Sequence, residues 1–394
     1  MRERVKTLVL EANGRGTEGT IIADTLLQGL LHLKNGTDLP AWLARWPLLQ
    51  RHLGQRYEAL SYVADWREAL CEHPLLDVRV CNILNLVDYL QCRSAIAEYP
   101  LIIVLHSAGH GGLSVLRRTA GWFRRRRGRL VVFVGNEYRR MAEKIGLIQA
   151  AEADFVCSQL PLETARWLYE GAGPSRVLSM PHALNPAVYC PEPGTPRAID
   201  IGFIGDLYHN QIGDMERTNL VRYFERHGHD LGLSCDIRAQ RLPRDEWAGF
   251  LRACKAILGA ESGTYFLDRT GEAVARAEAY SRTHPAATFD EVYANSFGRS
   301  TGTVSGKAIS PRHFEAIGTK TCQVLIEGEY NGILVADEHY VSVKKDLASI
   351  EDAVRRFRDE HLRHAMVERA FEYVMAGHTY RHRVESLLRA TGLD

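Results

Sequence analysis

The sequence lacks the long apolar runs that membrane insertion requires. No window approaches the about 20 apolar residues of a transmembrane helix, and the amino-terminal segment MRERVKTLVLEANGRG lacks the apolar core of a signal peptide. We therefore expect a protein that stays in the cytoplasm.

Net charge and paired cysteines are also missing. The 49 Lys and Arg residues nearly balance the 48 Asp and Glu residues, for a formal charge of +1. The protein therefore has no overall positive electric field that would attract nucleic acid, and we do not expect nucleic acid as a partner. The eight cysteines are scattered singly, with no CxxC pair and no metal-ligand spacing. We expect reduced thiols and no metal site.

The chain has enough apolar mass for two cores. Its 394 residues exceed one ordinary domain of about 100–200 residues, and 45% of them are hydrophobic. Short runs rich in Val, Ile and Leu alternate with helix-like stretches, which indicates buried parallel sheets. The predicted strands are 7–11, 57–63, 76–81, 101–105, 130–134 and 154–157, then 199–204, 233–237, 256–260, 322–326 and 340–343.

A proline-rich segment separates the two series of strands. Five prolines in 181–197 disfavour both helix and central strand, so this segment is the predicted linker. The expected fold class is α/β, with two facing Rossmann-like domains, parallel sheets and an interdomain cleft. We place the first domain at 1–190 and the second at 195–377. Residues 378–394 should return to the first domain, because Gly377 is expected to break the preceding helix.

A glycine-rich loop follows the first predicted strand. Gly14, Gly16 and Gly19 form a G-x-G-x-x-G pattern, which is typical of dinucleotide binding when it lies between a strand and a helix. That fingerprint also needs an acidic residue at the end of the second strand, and the region about 20 residues on is not strand-like. An NAD-dependent oxidoreductase, a loop facing the cleft and a plain tight turn all stay open.

Two segments of the second half are typical of phosphate binding. Gly202 and Gly205 surround the end of a predicted strand, where backbone amides can approach an anion and Arg217 can add charge. An ordinary strand-to-helix turn is the alternative. Further on, Ser310 and Pro311 predict the start of a helix.

That helix carries Arg312 and Glu315 in its first turns. Free amides and a guanidinium suit phosphate oxygens, and a carboxylate can accept both hydroxyls of a ribose. Glu315 could equally be an acid that complements the helix dipole.

Two histidines follow the predicted strand at 101–105. His106 should lie at the carboxyl edge of the sheet, where open α/β sheets bind ligands and where a histidine can donate a hydrogen bond or act as a base. His110 lies four residues on in a glycine-rich loop. A structural role is the alternative for both.

An arginine tract, LRRTAGWFRRRRGRL, places Arg124–Arg127 beside Trp122 and Phe123. Such a segment could bind anionic lipid head groups and hold the protein peripherally on the inner membrane face. A solvated face before the strand at 130–134 is the alternative.

Three phrases carry a resemblance to a known family: DIGFIGDLYH, VLSMPHALNPAVYCPE and SPRHFEAIGTKTCQVLIEGEYNGIL. They resemble GT-B glycosyltransferases of the glycosyl transferases group 1 type, in particular the CgeB-like branch. The resemblance implies a GT-B fold and polysaccharide biosynthesis. It implies transfer of a sugar from a nucleotide-diphosphate sugar to a glycan, a lipid-linked or a small-molecule acceptor, with retention, without metal and without a cofactor.

The resemblance also implies roles for single residues. Glu315 would bind the ribose, Arg312 and the Gly205 loop the diphosphate, and His106 would act at the donor sugar as the catalytic residue. The other donor-binding positions would be Asp206, Arg217, Glu261, Ser262 and Glu329, while Gly14, Gly16 and His110 would line the acceptor side of the cleft.

One position departs from the family pattern. Related retaining enzymes carry two glutamates separated by seven residues, and Lys307 stands where the first would be. The contact to the donor sugar must therefore differ. A non-catalytic nucleotide-sugar-binding protein and a nucleotide-sugar epimerase are alternatives to the transferase.

Overall fold

The computed structural model describes residues 3–12, 26, 45–48, 61–298 and 303–394. The chain divides into two compact units. Unit 1 comprises 1–180 and 384–394, and unit 2 comprises 181–383. Each unit contains its own parallel sheet.

Unit 1 is a parallel sheet with helices between its strands. The strands are β1 Val5–Glu11, β2 Leu76–Asn82, β3 Leu101–Val104, β4 Arg129–Phe133, β5 Phe155–Ser158 and β6 Arg176–Ser179. Their order in the sheet is β2-β1-β3-β4-β5-β6. The helices described here are α1 Ser61–Cys71, α2 Leu86–Ser94, α3 His106–His110, α4 Leu113–Thr119, α5 Met141–Ala151 and α6 Leu162–Leu168. Every residue of β3 is buried, as expected for an apolar strand inside a parallel sheet.

Unit 2 repeats this plan with five strands. They are β7 Ile199–Ile204, β8 Cys235–Arg238, β9 Cys254–Gly259, β10 Cys322–Ile326 and β11 Val341–Val343, in the order β11-β10-β9-β7-β8. The helices are α7 His209–Ile212, α8 Glu216–His227, α9 Arg244–Ala253, α10 Glu272–Thr283, α11 Phe289–Ser296, α12 Pro311–Gly318, α13 Ile350–Arg358 and α14 Glu360–Gly377. The last helix, α15 Tyr380–Thr391, begins in unit 2 and ends in unit 1.

The core of unit 2 lies on both faces of its sheet. Ile201 and Phe203 belong to one buried cluster, and Ile204 belongs to the other. This alternation along β7 follows from the two-residue period of a strand. The sheet is therefore covered by helices on both sides, as parallel sheets require.

In both sheets the first strand of the unit lies between the second and the third. Strand β1 pairs with β2 and β3, and β7 pairs with β8 and β9. The chain therefore leaves neighbouring strands in opposite directions, which opens a crevice at their carboxyl ends. In open α/β sheets such a crevice is the usual position of a ligand.

The α/β class and the two Rossmann-like sheets predicted from the sequence are confirmed. The predicted strand at 57–63 is wrong, because Ser61–Val63 begin α1, whose buried Val63, Trp66 and Leu70 follow helical spacing. Strand β6 was not predicted, because RVLS is a short edge strand whose residues are only partly buried. Among the residues that the structure describes, no helix is both long and apolar enough to cross a membrane.

Gly128 tests the packing at the start of β4. A Cβ at this position would lie 2.2 Å from the carbonyl oxygen of Tyr99 and 2.3 Å from that of Pro100. We expect Gly128→Ala to destabilise the protein by about 1–3 kcal/mol, because backbone atoms cannot move aside cheaply. Thermal unfolding measures this loss.

Gly121→Ala is the matched control, because no atom lies within 4 Å of its added Cβ. The control should change the free energy of unfolding by no more than about 0.5 kcal/mol. Equal melting temperatures for both variants would contradict the packing described for Gly128.

Candidate functional site

The crevice of unit 2 lies between the carboxyl ends of β7 and β9. The segment after β7 begins at Gly205, and the segment after β9 begins at Ala260. Helix α12 starts at Pro311 and leads into β10, so its amino terminus lies at the same edge. Open α/β sheets bind their ligands at this position.

Arg312 links α12 to the end of β7. Its Nη1 donates a hydrogen bond to the carbonyl oxygen of Ile204, and its guanidinium carbon lies 4.7 Å from the centre of the Trp247 ring. A Cβ at Gly205 would lie 2.9 Å from Nη1. Glycine therefore leaves room for the guanidinium beside the chain after β7, and a side chain here would displace it.

Two further guanidinium groups, from other segments, contact Asp206 on the loop that follows β7. Arg217 donates to the hydroxyl of Tyr208 at 3.1 Å and to the backbone oxygen of Asp206 at 3.0 Å. Arg241 donates two hydrogen bonds, at 2.7 and 2.9 Å, to the carboxylate of Asp206. The three guanidinium groups lie near two carboxylates, those of Asp206 and Glu315, so the group retains an excess of positive charge.

The crowding of cations is visible in the pKa values of the site. Burial lowers the pKa of Arg312. The charge of Glu315 opposes this effect, whereas the charges of Arg217 and Arg241 lower the pKa further. Burial alone would raise the pKa of Tyr208, but Arg217 and Lys307 hold it below its ordinary value. Such a site favours an anion, which would relieve the repulsion.

The amino terminus of α12 is held by a histidine. Ser310 is the N-cap, and its backbone N–H donates to Nδ1 of His313 at 3.0 Å. The imidazole is buried and lies edge-on to Tyr330, with ring centres 5.1 Å apart. Burial lowers the pKa of His313 to about 4, so the ring is neutral near pH 7. The predicted helix start at Ser310 and Pro311 is confirmed.

Glu315 lies on the buried face of α12. Only 3% of the residue is exposed, and its Oε2 accepts a hydrogen bond of 2.7 Å from the indole N–H of Trp247. Trp247 thus contacts Arg312 through its ring face and Glu315 through its nitrogen. A carboxylate oxygen can accept more than one hydrogen bond, so the predicted ribose contact is compatible with this one.

Three other predicted donor-binding residues have structural partners. Oε1 of Glu261 accepts the backbone N–H of Tyr330 at 2.7 Å, and the amide of Glu329 also donates to this carboxylate. Ser262 pairs with Ala308 through two backbone hydrogen bonds of 2.9 Å. These contacts join the loops after β9 and β10, and their role in donor binding stays a prediction.

Lys307, which replaces the glutamate of the family pattern, forms a buried ion pair. Its Nζ lies 2.6 Å from Oδ2 of Asp214, and the two side chains are 4% and 9% exposed. The same ammonium lies 4.6 Å from the centre of the Tyr265 ring, and Lys345 lies at an equal distance. The hydroxyl of Tyr265 donates to Glu216 at 2.7 Å. Asp214 and Glu216 balance the charges of the two lysines, whereas the arginines near Asp206 keep an excess of positive charge.

In unit 1, His106 lies at the carboxyl end of β3, as predicted, and its ring is enclosed. The residue is 1% exposed, and the ring lies 5.6 Å from Tyr62, 6.2 Å from Trp66 and 5.2 Å from Phe133 between ring centres. Burial lowers its pKa to about 3. The ring is therefore neutral near pH 7 and packs as part of an aromatic cluster.

His110 lies at the end of α3 beside basic side chains. Burial lowers its pKa to about 4, and the charges of Lys144, Arg139 and Arg140 contribute. Lys144 is buried, and its Nζ donates to the backbone oxygens of Gly135 and Asn136 at 2.7 and 2.9 Å. Gly14, Gly16 and Gly19 lie outside the described residues, so the dinucleotide hypothesis rests on the sequence alone.

The arginine tract is largely paired within unit 1. Arg126 donates to the backbone oxygens of Phe123 and Ala151 at 2.9 and 3.0 Å and to Asp154 at 3.0 Å, and Arg124 pairs with Glu152 at 3.1 Å. Phe123 is buried. The contact of Arg124–Arg127 with a membrane stays a prediction, and these internal pairs do not favour it.

Sequence reasoning missed four residues of this site: Tyr208, Asp214, Arg241 and Trp247. Arg241 follows the end of β8, and Trp247 lies in the first turn of α9. Arg241 and Trp247 reach the site because β8 pairs with β7 on the side opposite to β9. Only the strand order reveals that these segments share one edge.

The pH dependence of stability tests whether His106 is kept neutral by burial. Its pKa is about 3 in the folded protein, against about 6.5 in the unfolded chain. As the pH falls below about 6.5, the unfolded chain binds a proton that the folded protein does not, so stability falls. His106→Phe keeps an aromatic ring and removes this titration. Urea unfolding should show that the variant loses about 2–4 kcal/mol less than the parent between pH 7 and pH 4.

For each protein, the measured quantity is the change in the free energy of unfolding between pH 7 and pH 4. A packing effect of the phenylalanine is the same at both pH values and therefore cancels. The same pH dependence in both proteins would show that His106 titrates normally in the folded state. It would overturn the neutral, enclosed imidazole described here.

Comparisons with known proteins agree with the fold. Residues 221–389 match the model of a family described as glycosyl transferase-like. Sucrose-phosphate synthase from Thermosynechococcus elongatus has a TM-score of 0.50 at 11% identity, and the match covers 98% of each chain. No curated protein sequence matches the chain.

Two further solved structures show lower scores. Anabaena HepE, in complex with UDP-glucose, has a TM-score of 0.47 at 11% identity over 98% of this chain and 100% of that one. The α,α-trehalose 6-phosphate synthase of Burkholderia multivorans has a TM-score of 0.44 at 12% identity over 99% of each chain.

The family match includes α12 with Arg312 and Glu315. Membership of the CgeB-like branch stays a prediction. The match over 221–389 shows that this part of the chain is similar to glycosyl transferase-like proteins, and the two parallel sheets agree with a GT-B fold.

Proposed function

We propose that unit 2 binds the diphosphate of a nucleotide sugar at Arg217, Arg241 and Arg312. The observation that carries this proposal is the convergence of these guanidinium groups at the crevice between β7 and β9. The positive end of the α12 dipole adds to the same charge. A diphosphate presents several oxygens, which suit the planar, multidentate donors of arginine.

The reaction that this site supports is transfer of the sugar to a hydroxyl. The acceptor oxygen forms a bond to the anomeric carbon while the bond from that carbon to the diphosphate breaks. The diphosphate leaves with the bonding electron pair, and its oxygen takes the proton of the hydroxyl. Guanidinium groups and a helix terminus stabilise the negative charge on the leaving group, so metal-independent transfer is part of the proposal.

The ribose and the sugar would be held on either side of the diphosphate. Glu315, whose Oε2 accepts the Trp247 N–H, would also accept the ribose hydroxyls. The position of the family's first glutamate is filled by Lys307, whose charge is balanced by Asp214. We infer that this buried pair changes the contact to the donor sugar.

A non-catalytic nucleotide-sugar-binding protein is the second candidate. The observation in its favour is the same replacement at Lys307, because the ammonium is committed to Asp214 and cannot take over a carboxylate's role. Release of free sugar from a bound nucleotide sugar, followed over time without acceptor, separates the two. An active transferase hydrolyses its donor slowly, whereas a binding protein leaves it intact.

Two arginines on α8 provide a matched test of the diphosphate site. Arg217 lies in the first turn beside Tyr208, while Arg222 is 51% exposed and pairs with Glu225. Arg217→Gln removes a charged donor to phosphate, which is worth about 1.5–3 kcal/mol. We therefore expect its dissociation constants for nucleoside diphosphates to rise about 10- to 150-fold. Calorimetric titration with UDP, GDP, ADP and dTDP measures this change.

Arg222→Gln should leave nucleotide affinity unchanged and controls for the loss of one positive charge on the same helix. Melting curves of both variants check that the fold is retained. Equal affinity of the parent and Arg217→Gln would show that the diphosphate does not bind at this loop. If the parent binds none of the nucleotides, the donor site is refuted.

A further inference from the structure

Two cysteines and an aspartate converge at the edge of the unit 1 sheet, in a part of the fold that the proposed function does not use. Cys81 lies near the end of β2, and Cys92 and Asp88 lie on α2. Both cysteines are buried, at 0% and 1% exposure. Their sulfurs and a carboxylate oxygen of Asp88 all lie within 4.8 Å of one another.

The local fold fixes this convergence. Asp88 and Cys92 are four residues apart and share one face of α2. Asn85 caps this helix, because its side chain accepts the backbone N–H of Asp88 at 3.2 Å. Asn82 holds the turn from the strand by accepting the N–H of Leu84 at 3.1 Å. The strand end and the helix face are thus held against each other before any ligand binds.

The distances suit a tetrahedral thiophilic cation. Zinc binds thiolates at about 2.3 Å and carboxylates at about 2.0–2.2 Å, which places neighbouring ligand atoms about 3.5–3.8 Å apart. Sγ of Cys92 already lies 3.9 Å from Oδ1 of Asp88. Side-chain movements of a few tenths of an ångström would complete the geometry at this pair.

We propose that Cys81, Asp88 and Cys92 bind one zinc-class divalent cation, with the fourth position taken by water. Two thiolates, one carboxylate and one dication leave a charge of −1. Arg79 compensates this charge, since its Nη2 donates to Oδ1 of Asp88 at 3.1 Å. Such a partner orients a ligating carboxylate in the way that outer contacts support other metal sites. Thiolate ligands select zinc or cobalt over magnesium and calcium.

The site joins β2 to α2, which are consecutive elements of unit 1. Metal binding would therefore stabilise this part of the fold, because the ion binds only where all three ligands meet. The proposal does not depend on the glycosyltransferase chemistry, since all three ligands belong to β2 and α2.

Cobalt titration of the full-length, metal-stripped protein tests the proposal. We expect one Co²⁺ per chain, with the thiolate-to-cobalt absorption of a tetrahedral site, and a higher melting temperature with Co²⁺ or Zn²⁺. Cys81→Ser and Cys92→Ser should lose the absorption. Cys71→Ser, which removes an exposed thiol on α1, should retain it. If the cysteine variants do not fold, Asp88→Asn should still weaken Co²⁺ binding at least 10-fold.

Three results would overturn the proposal. The first is a parent protein without thiolate-to-cobalt absorption. The second is equal absorption in the parent and in Cys81→Ser. The third is a thiol count in denaturant that is two lower than the eight cysteines of the sequence and returns to eight after reduction, which would assign the pair to a disulfide.

Discussion

The bond from Arg312 to the carbonyl oxygen of Ile204 is the interaction on which the candidate site depends. It ties the start of α12 to the end of β7, two elements 108 residues apart in the chain. Gly205 must stay free of a side chain for this contact to form. Trp247 supports the guanidinium with its ring and holds Glu315 with its N–H. Arg312 and Trp247 therefore position the loop after β7, the helix terminus and the carboxylate of Glu315 together.

This edge of the sheet has one region with excess positive charge and one region where the charges are balanced. Around Gly205 the three arginines outnumber the carboxylates of Asp206 and Glu315, so the loop favours an anionic ligand. Farther along the same segment, Asp214 forms a buried ion pair with Lys307, and the two charges neutralise each other. Removing one partner of such a pair costs far more than the pair contributes, so it is a fixed part of the structure. The donor's charge would be recognised at the arginines and its sugar beside the neutral pair.

Sequence patterns predicted most of the architecture, because buried parallel strands appear as short apolar runs between helical stretches. The start of α12 was predicted from Ser310 and Pro311 for a similarly local reason. Contacts between distant segments were not predictable in this way. The hydrogen bond from Trp247 to Glu315 and the convergence of Cys81 with Cys92 both depend on which elements lie side by side. The burial of His106 depends on aromatic rings from two separate segments, α1 and β4.

We propose that unit 2 holds the diphosphate of a nucleotide sugar at the switch point of its sheet. A crystal structure of the protein with a bound nucleoside diphosphate would show where the diphosphate lies. We expect phosphate oxygens within hydrogen-bonding distance of the guanidinium groups of Arg217 and Arg312, beside the backbone of Gly205. A nucleotide whose diphosphate instead lies at the carboxyl ends of β1 and β3 in unit 1 would contradict it.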